Sequence, residues 1–384
     1  MTARRLRVAF LGHSAKLSGA ELSLVELVGA FDDVEPLVLL AEDGPLVERL
    51  EDAGAQVEVL PLRQEARLVR RDEFRSGPVR LFFAGASTAA YAARIARRLR
   101  ALHVDLVHAN TLKALFYGGA ATQLARKPMV WHAHDRISED YLPRPAVALV
   151  RGVARTTAKG VIANSSATLA TLGGLRRRAT IIPEPVGHQA FAERRVRRNE
   201  PFVAAMVGRI APWKGQDVFL RAFAGAFPNG EERGLILGAP LFGEEEYERS
   251  VHALVEQLGL RDRVDLRGFT DDVAAELAEV DALVHASLIP EPFGRVIVEG
   301  MAAGLPVVAA AGGGPDEIVT EGVDGLLYPP GDVDELGARL RRVATDAGLA
   351  ERLGRAGVER ARAFSPELAA AQTSAFYRRV LEAA

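Results

Sequence analysis

The chain contains 384 residues, of which 48% are hydrophobic and 26% are charged. At about 150 residues per domain this length predicts two or three domains, and the apolar content excludes a largely disordered chain. With no cysteine, the sequence excludes disulfides, a thiolate nucleophile and cysteine-based zinc or iron–sulfur sites. It contains no apolar run near the roughly 20 residues that span a bilayer, and residues 1–10 lack a long apolar signal region. We therefore expect a cytoplasmic protein.

Charge is divided unevenly along the chain. Residues 1–187 contain 26 Lys and Arg against 19 Asp and Glu, a net charge of +7, whereas the remainder contains 22 against 31, a net charge of −9. The total of −2 argues against a general nucleic-acid-binding protein. The division itself predicts two domains with different partners.

Short runs of Val, Ile, Leu and Ala alternate with helical patterns along nearly the whole chain. Because these runs are continuous rather than alternating with polar residues, they predict parallel strands that are covered on both faces. The predicted strands are residues 6–12, 36–41, 56–62, 104–110, 128–134, 160–164, 202–209, 234–238, 263–268, 282–286, 306–311 and 325–328. They form two sets of six, which predicts an α/β fold with two Rossmann-like domains rather than one eightfold barrel.

The expected domains are residues 1–187 and 188–363. Residues 183–200 combine prolines, charges and no clear period, which is typical of a joint between domains. Open parallel sheets bind ligands beyond the carboxyl ends of their strands, so two facing sheets would place the active site in the cleft between them. Residues 364–384 form a further predicted helix, with Ser365 as N-cap and Pro366 in its first turn, that suits either domain.

Residues 63–100 form a basic stretch with ten arginines. Within it Tyr91, Ile95, Leu99 and Leu102 share one helical face. One interpretation is a basic surface for an anionic membrane or acceptor. The favoured alternative is a solvated helix with its apolar side on the sheet.

Residues 12–24 follow the first strand and read GHSAKLSGAELSL. Ser18 is a good N-cap for the next helix, and Gly19 would let a ligand approach the amides that open it. The stretch contains neither GxGxxG nor GxxxxGK[ST], so a dinucleotide-binding fold and a P-loop ATPase both lose support.

Two histidines lie at the end of the buried strand at residues 128–134. His132 and His134 are two residues apart and therefore face the same side of the sheet. They are interpreted either as core histidines or as part of a reaction centre. A zinc pair is also conceivable, but a third ligand is not evident.

Two cations follow the first strand of the second half. Arg209 ends that strand, and Lys214 comes five residues later, before a helix. Together they are suited to neutralise a nucleotide diphosphate and to stabilise the charge of the leaving group. The alternative is that both are ordinary surface charges.

The most specific stretch is residues 290–310, PEPFGRVIVEGMAAGLPVVAA. Pro292 and Gly304 mark the expected start and stop of a helix, with Glu291 just before it and Glu299 two turns inside. The two carboxylates would then lie about 12 Å apart or somewhat more. This exceeds the separation that suits an acid/base pair on one bond, but it suits the two ends of a long polar ligand.

Helix-start amides would face an anion between the two glutamates. We place these amides at Phe293, Gly294 and Arg295. The two cations and the two acids would lie on opposite walls of one crevice. Taken alone, two glutamates at this spacing are also compatible with an ordinary loop charge and an ordinary helix carboxylate.

The E-x-F-G-x-x-x-x-E core of this stretch and the A-A-G-x-P-V-V that follows it resemble the signature of the retaining glycosyltransferases of family 4, which have the GT-B fold. The resemblance implies that Glu291 binds hydroxyls of a donor sugar, that Glu299 binds the ribose, and that the backbone at Phe293 and Gly294 meets the sugar or the diphosphate. Gly300 stands where the family usually has alanine, and a helix-interior glycine costs about 1 kcal/mol.

Other motifs of the family recur in the expected order. They are SGAE, which is similar to its G-G-A-E loop, the His-Asp pair, the N-S pair, the G-R-x-x-x-x-K-G spacing, RGFTDD near the base, and the glycine loop GGGPDE beside the donor pocket. The resemblance implies catalytic roles for His134, Arg209, Lys214 and Glu291, and places His134 beside the donor sugar. It implies donor contacts at Gly19, Arg209, Lys214, Phe269, Thr270, Glu291, Phe293, Gly294, Arg295, Val296 and Glu299, and acceptor or cleft contacts at Ser18, His132, Asp135, Asn164 and Ser165.

The function expected from this resemblance is retaining transfer of a sugar from a UDP- or GDP-sugar to an acceptor hydroxyl. The departing diphosphate would help to take the acceptor proton, and the cationic pair would make a metal or a cofactor unnecessary. The helix from residue 364 would cross back onto the N-terminal domain. A non-hydrolysing sugar-nucleotide epimerase and a sugar-nucleotide-binding module without activity are the alternatives.

The acceptor is not identified by the sequence. A polysaccharide, a lipid-linked sugar and a small natural product all suit the expected chemistry. A contact of the basic N-terminal domain with the inner face of the membrane is a further expectation.

Overall fold

The computed structural model describes residues 4–62, 78–191, 201–241 and 243–383, without the side chains of residues 78–87. Much of the basic stretch at residues 63–100 therefore lies outside the described residues, as do residues 192–200 of the expected joint. The chain divides into two compact units. One consists of Met1–Pro185 with Pro366–Ala384, and the other of Val186–Ser365.

The first unit is built on a seven-stranded parallel sheet of order β3-β2-β1-β4-β5-β6-β7. Its strands are β1 Leu6–Gly12, β2 Val34–Leu40, β3 Gln56–Val59, β4 Leu106–Ala109, β5 Met129–Ala133, β6 Gly160–Ala163 and β7 Ala179–Ile181. The helices between them are α1 Gly19–Gly29, α2 Leu46–Asp52, α3 Pro78–Ala101, α4 Leu112–Ala125, α5 Arg144–Thr157 and α6 Ser166–Thr171. A 3-10 turn spans Gly173–Arg178.

The second unit repeats this plan with a six-stranded parallel sheet of order β10-β9-β8-β11-β12-β13. Its strands are β8 Val203–Val207, β9 Arg233–Leu237, β10 Val264–Gly268, β11 Ala282–His285, β12 Val307–Ala310 and β13 Leu326–Tyr328. Its helices are α7 Gln216–Ala226, α8 Glu245–Gln257, α9 Val273–Ala278, α10 Arg295–Ala302, α11 Pro315–Ile318, α12 Val333–Thr345 and α13 Ala347–Ala361. Short 3-10 turns span His188–Phe191, Pro212–Lys214 and Arg362–Phe364.

Both faces of each sheet are buried. In β1, Val8 and Phe10 belong to one hydrophobic cluster, and Ala9 and Leu11 belong to the cluster on the opposite face. Such two-sided burial is the reason why the strands appear in the sequence as continuous apolar runs. The predicted α/β class with two Rossmann-like sheets is confirmed, and each predicted strand is present. The short edge strand β7, which follows three arginines, was not predicted.

The final helix, α14 Pro366–Glu382, packs on the first sheet. Its residues Phe376 and Val380 lie against Gly160, where an added Cβ would come within 2.7 Å and 2.8 Å of these two side chains. The hydroxyl of Tyr377, on the same helix, lies 2.6 Å from Nδ1 of the buried His108. Close packing at Gly160 thus seats α14 on the first unit.

Helix α3 carries the described part of the basic stretch. Tyr91, Ile95 and Leu99 are at most 6% exposed, and Leu102, just beyond the helix, packs against the same core. The apolar face therefore lies on the protein, as in the favoured interpretation. Among the helices of the described residues, none is both long and apolar enough to cross a bilayer.

Helix α10 begins later than the sequence predicted. It starts at Arg295 rather than at Pro292, because the preceding segment is extended and pairs with the glycine loop: the Glu291 amide donates to the Gly312 carbonyl, and the Gly314 amide donates to the Glu291 carbonyl. Gly294, with φ of +107°, makes the turn into the helix. Glu291 lies before the helix and Glu299 inside it, as predicted.

Candidate functional site

The strand order of each sheet reverses direction at one point. In the first sheet this point lies between β1 and β4, and in the second between β8 and β11. Crevices beyond the carboxyl ends of strands at such a point are where open parallel sheets bind ligands. The predicted site residues lie at the carboxyl edges of both sheets, and each unit is described separately.

In the second unit, Lys214 and Glu291 form an ion pair. Lys214 Nζ lies 2.5 Å from Glu291 Oε1, and the two side chains are 22% and 13% exposed. Ser287 donates its hydroxyl to the same carboxylate oxygen, and His285 Nε2 approaches it to 3.4 Å. The expectation that the cations and acids lie on opposite walls is therefore wrong for this pair.

Two close backbone approaches bring Lys214 to Glu291. Gly215 adopts φ of +76°, and an added Cβ would lie 2.1 Å from the Ala286 carbonyl oxygen. Next to this contact, the Leu288 amide donates a hydrogen bond to the Trp213 carbonyl at 2.8 Å. The Lys-Gly sequence is thus required here because a side chain at Gly215 would push the lysine turn away from the end of β11.

The Glu291 carboxylate remains charged in this setting. Burial by itself would raise its pKa, but the charge of Lys214 and the contact with His285 outweigh burial and hold the pKa of Glu291 well below its usual range. A fixed carboxylate next to an ammonium group can accept hydrogen bonds from sugar hydroxyls while the ammonium binds an anion.

Arg209 lies two residues beyond β8 and is held by its surroundings. Its guanidinium lies 4.7 Å from the ring centroid of Trp213, and its Nη1 lies 3.8 Å from Glu244 Oε1. Gln216 donates to the Arg209 carbonyl at 3.0 Å. Arg209 and Lys214 therefore lie on one short loop, with Trp213 between them in the sequence.

The start of α10 contributes backbone rather than side chains. Phe293 is 4% exposed and packs edge-on against Phe364 at 5.7 Å, so its ring belongs to the core. Gly314 fits against the Phe293 backbone, since an added Cβ would lie 2.0 Å from the Phe293 carbonyl oxygen. The amides of Arg295 and Val296 open the helix.

Glu299 accepts a hydrogen bond from Arg295 Nε at 2.8 Å across one helical turn. The two side chains are 14% and 10% exposed. Gly300, which follows Glu299, has a structural reason: an added Cβ would lie 2.4 Å from Leu283 Cδ2 and 2.9 Å from Leu283 Cβ. The glycine, beyond its cost in helix propensity, therefore permits the close contact of α10 with β11.

The predicted base-contacting segment follows β10. Gly268 turns with φ of +81°, and Phe269 beyond it is 54% exposed. Thr270 accepts a hydrogen bond from the Asp272 amide at 3.2 Å, within the N-terminal turn of α9. An exposed aromatic ring at the carboxyl edge of a sheet is suited to stack on a flat ligand.

In the first unit, His134 lies just beyond β5 with its side chain 9% exposed. Its Nδ1 lies 3.1 Å from Glu184 Oε1 and its Nε2 lies 3.3 Å from Asn110 Oδ1. Burial favours the neutral ring, but the hydrogen bond and charge of Glu184, with smaller contributions from Asp135 and Glu21, outweigh it and raise the pKa of His134.

Three of the remaining predicted residues of this unit, Gly19, Ser18 and Asp135, are exposed or half-buried. Gly19 opens α1, and an added Cβ there would have no described atom within 4 Å. Ser18 occupies the N-cap position, but its hydroxyl donates to Glu21. Asp135 accepts a hydrogen bond from the Tyr141 hydroxyl at 2.9 Å.

Three of the predicted acceptor or cleft residues are internal. The buried His132 ring stacks on His134 at 3.9 Å between centroids, and burial, together with the neighbouring histidines, lowers its pKa well below the usual value. Asn164 donates to Glu184 and to the His134 carbonyl, and Ser165 caps α6 by accepting from the Thr168 amide. The described contacts of these three residues are made inside the first unit.

The sequence prediction missed four polar residues at the carboxyl edges of the two sheets. Glu184 was assigned to the joint, although it is 5% exposed and accepts three hydrogen bonds. Asn110, His285 and Ser287 were also missed, although each lies at or just beyond the end of a predicted strand. This position at the end of a predicted strand was the feature of the sequence that could have identified Asn110, His285 and Ser287.

In the part of the chain that the structure describes, the His, Asp and Glu side chains form no group of three or more that could hold a metal ion. Arg209 and Lys214 follow β8, next to the point where the strand order of the second sheet reverses.

Two family models match the chain in succession. The model described as Glycosyltransferase Family 4 matches residues 46–189, and the model described as Glycosyl transferases group 1 matches residues 189–360. A D-inositol 3-phosphate glycosyltransferase of Nocardioides sp. is 30% identical over 313 residues, which cover 72% of this chain and 68% of that protein. Another of the same name, from Kribbella flavida, is 37% identical over 203 residues, 51% of this chain, and this match spans 48% of the relative's length.

A solved structure is similar over nearly the whole chain. The HepE protein of Anabaena, in complex with UDP and glucose, has a TM-score of 0.84 and 30% identity, and the match covers 97% of this chain and 99% of that one. The same protein was also solved with UDP-glucose. Two parallel Rossmann-like sheets with this likeness define a protein of the GT-B fold. The chain belongs to the group 1 glycosyltransferases of family 4.

Proposed function

We propose that this protein transfers a hexosyl group from a UDP-sugar to an acceptor hydroxyl, with retention of the anomeric configuration and without a metal ion. The observation that carries the proposal is the Lys214–Glu291 pair, held with His285 and Ser287 where the strand order of the second sheet reverses. The Anabaena HepE complexes with UDP and UDP-glucose support UDP as the nucleotide.

The proposed donor site assigns each charge a separate task. Lys214 and Arg209 bind the diphosphate and stabilise the charge that develops on it as the glycosidic bond breaks. Glu291 accepts hydrogen bonds from hydroxyls of the donor sugar, and Glu299 accepts hydrogen bonds from hydroxyls of the ribose. Phe269 and Thr270 bind the base, and the α10 amides at Gly294, Arg295 and Val296 meet the diphosphate or sugar.

His134, in the first unit, is proposed to lie beside the reacting sugar. A charged imidazole at this position would favour negative charge on the departing diphosphate. Because the diphosphate leaves from the face that the acceptor approaches, one of its oxygens can take the acceptor proton. No further base is then required of the protein.

The acceptor site is proposed at the carboxyl edge of the first sheet, near Ser18 and Asp135. A polysaccharide, a lipid-linked sugar and a small natural product all offer the hydroxyl that this chemistry needs. We place any membrane contact on the basic surface of the first unit rather than on an inserted helix, because the apolar face of α3 is buried. Sedimentation with anionic and with neutral vesicles tests this contact.

The function is tested by incubating the protein with UDP-hexoses and GDP-hexoses, with and without candidate acceptors, and measuring products by mass spectrometry. Release of UDP that depends on acceptor supports transfer, and the anomeric coupling constant of the product reports retention. Interconversion of the donor without acceptor would indicate an epimerase, and saturable binding without turnover would indicate a binding module.

A matched pair of variants strengthens this test. Glu291→Gln keeps the size of the side chain but removes its charge, and we expect a large loss of turnover. Arg98→Met removes a comparable ion pair, Arg98 with Glu58, from the first unit and should leave turnover unchanged.

A further inference from the structure

The buried carboxylate of Glu184 is a hub of hydrogen bonds in the first unit. Its Oε2 accepts from the Ser23 hydroxyl at 2.9 Å, and its Oε1 accepts from Asn164 Nδ2 at 2.7 Å and from His134 Nδ1 at 3.1 Å. Its side chain is 7% exposed. A carboxylate surrounded by three donors is bound in its charged form, because a protonated acid would have to donate at one of these oxygens.

The opposite side of the His134 ring faces another acceptor. Asn110 Nδ2 donates to the Ala20 carbonyl at 3.4 Å, which turns Asn110 Oδ1 toward His134 Nε2 at 3.3 Å. Both ring nitrogens of His134 therefore face oxygen acceptors. A neutral imidazole has one N–H, so this arrangement satisfies both contacts when the ring carries two protons.

The charged groups around His134 agree with this assignment. Glu21 from α1 and Asp135, just beyond the end of β5, add negative charge beside His134, while His132 and His108, on β5 and β4, are further titratable groups next to it. Burial lowers the pKa values of His132 and His108, which leaves both rings neutral beside His134. Glu184 keeps a lowered pKa despite its burial, because His134, Asn164 and Ser23 donate to it.

We propose that Glu184 is a positioning residue for His134: it orients the imidazole through Nδ1 and keeps the ring doubly protonated, so that the site presents a fixed cation. This inference rests on the proposed function only for its effect on turnover. The pairing itself is a property of the free protein. Because a buried ion pair is neutral overall, the cation is retained without the cost of an isolated buried charge.

The proposal predicts a specific pH dependence. His134 has a raised pKa, so the cation persists to higher pH than in an ordinary histidine and is lost as the pH rises through that pKa. Glu184→Gln removes the carboxylate, and burial then lowers the pKa of His134. The alkaline limb of the turnover profile should move to lower pH, with at least about a tenfold loss at pH 8 that shrinks toward pH 6, since each pKa unit changes the protonated fraction tenfold above the pKa.

The direct test is ¹⁵N NMR of the histidine ring nitrogens in the free protein between pH 5 and pH 9, with His134→Gln for assignment. We expect both His134 nitrogens to be protonated at pH 7 in the wild type and one of them in Glu184→Gln. A neutral His134 at pH 7 in the wild type would overturn the proposal, whatever the enzyme assay shows. This measurement needs no donor or acceptor, so it stands apart from any failure of the proposed function.

Turnover profiles complete the test. Glu184→Asp should restore part of the cation and move the alkaline limb back toward the wild-type position. Asp33→Asn is the matched control, because Asp33 also accepts from two donors, Ser374 and Arg378, but lies away from His134. A loss in Glu184→Gln that is equal at every pH would show a merely structural role and refute the proposal. Should Glu184→Gln fail to fold, the wild-type titration still decides the protonation of His134.

Discussion

Removal of the ammonium group at Lys214 tests the candidate donor site most directly. Lys214→Met keeps the length of the side chain but leaves the Glu291 carboxylate without its closest cation, at present 2.5 Å away. Loss of one partner of a buried ion pair typically costs about 3–5 kcal/mol. Because the two side chains are 22% and 13% exposed, water screens part of this cost, and we expect a loss of about 2 kcal/mol in the free energy of unfolding.

The effect on turnover should be larger than the effect on stability. One lost electrostatic contact to a developing anion lowers kcat by about 10²–10³-fold. The double variant Lys214→Met/Glu291→Gln removes both charges, and since no uncompensated carboxylate remains, it should regain most of the lost stability. Its turnover should stay at or below that of Lys214→Met. Denaturant unfolding and acceptor-dependent UDP release measure the two quantities.

The pH dependence of stability tests the interaction between Lys214 and Glu291. In the wild type the pKa of Glu291 lies below its ordinary value of 4.5, so the stabilising contribution is present above that pH and is lost as the pH falls. In Lys214→Met, burial should raise the pKa of Glu291, so the deficit in stability should shrink as the pH falls. Additive losses in the double variant, or wild-type turnover in Lys214→Met, would refute this reasoning. Arg98→Met controls for the removal of an ion pair outside the site.

Three further predictions follow from packing, exposure and burial. Gly300→Ala should lower the free energy of unfolding by about 1 kcal/mol, because the overlap with Leu283 costs more than the gain in helix propensity; thermal unfolding measures it. Phe269→Ala should weaken UDP binding by about 1–3 kcal/mol in calorimetry and leave stability within about 0.5 kcal/mol, since the ring is 54% exposed. Burial, with a smaller contribution from Lys113, lowers the pKa of His13 to about 4. The unfolded chain therefore binds one more proton than the folded protein between pH 6.5 and pH 4, and the free energy of unfolding should fall by about 1.4 kcal/mol for each unit by which the pH is lowered in this range.

Each of these three predictions has an outcome that would contradict it. A stability gain in Gly300→Ala would show that Leu283 yields without cost, and Gly225→Ala, where an added Cβ meets no described atom within 4 Å, gives the propensity effect alone. Unchanged UDP affinity in Phe269→Ala would exclude stacking on the base. His13→Asn should flatten the acid limb of the stability curve, and an unchanged slope would contradict the burial of a neutral ring.

Local patterns along the chain were sufficient for the elements and for the place of most motifs. Continuous apolar runs predicted all the strands apart from β7, because a parallel strand buried on both faces differs from helices and loops within a few residues. The motifs around Arg209, Lys214 and Glu291 lie at the strand ends where they were expected. Their positions depend on local spacing, which a single sequence records.

Contacts between elements were decided by the tertiary structure. Lys214 meets Glu291, 77 positions away, because Gly215 lets one turn press against the end of β11. Glu184 appeared to be a charge in a proline-rich joint, but the edge of the first sheet encloses it with donors from three separate elements. A single sequence records which groups can bear charge, whereas the partner of each group depends on close approaches between distant segments, and it is these approaches that set burial, protonation and the reach of each side chain.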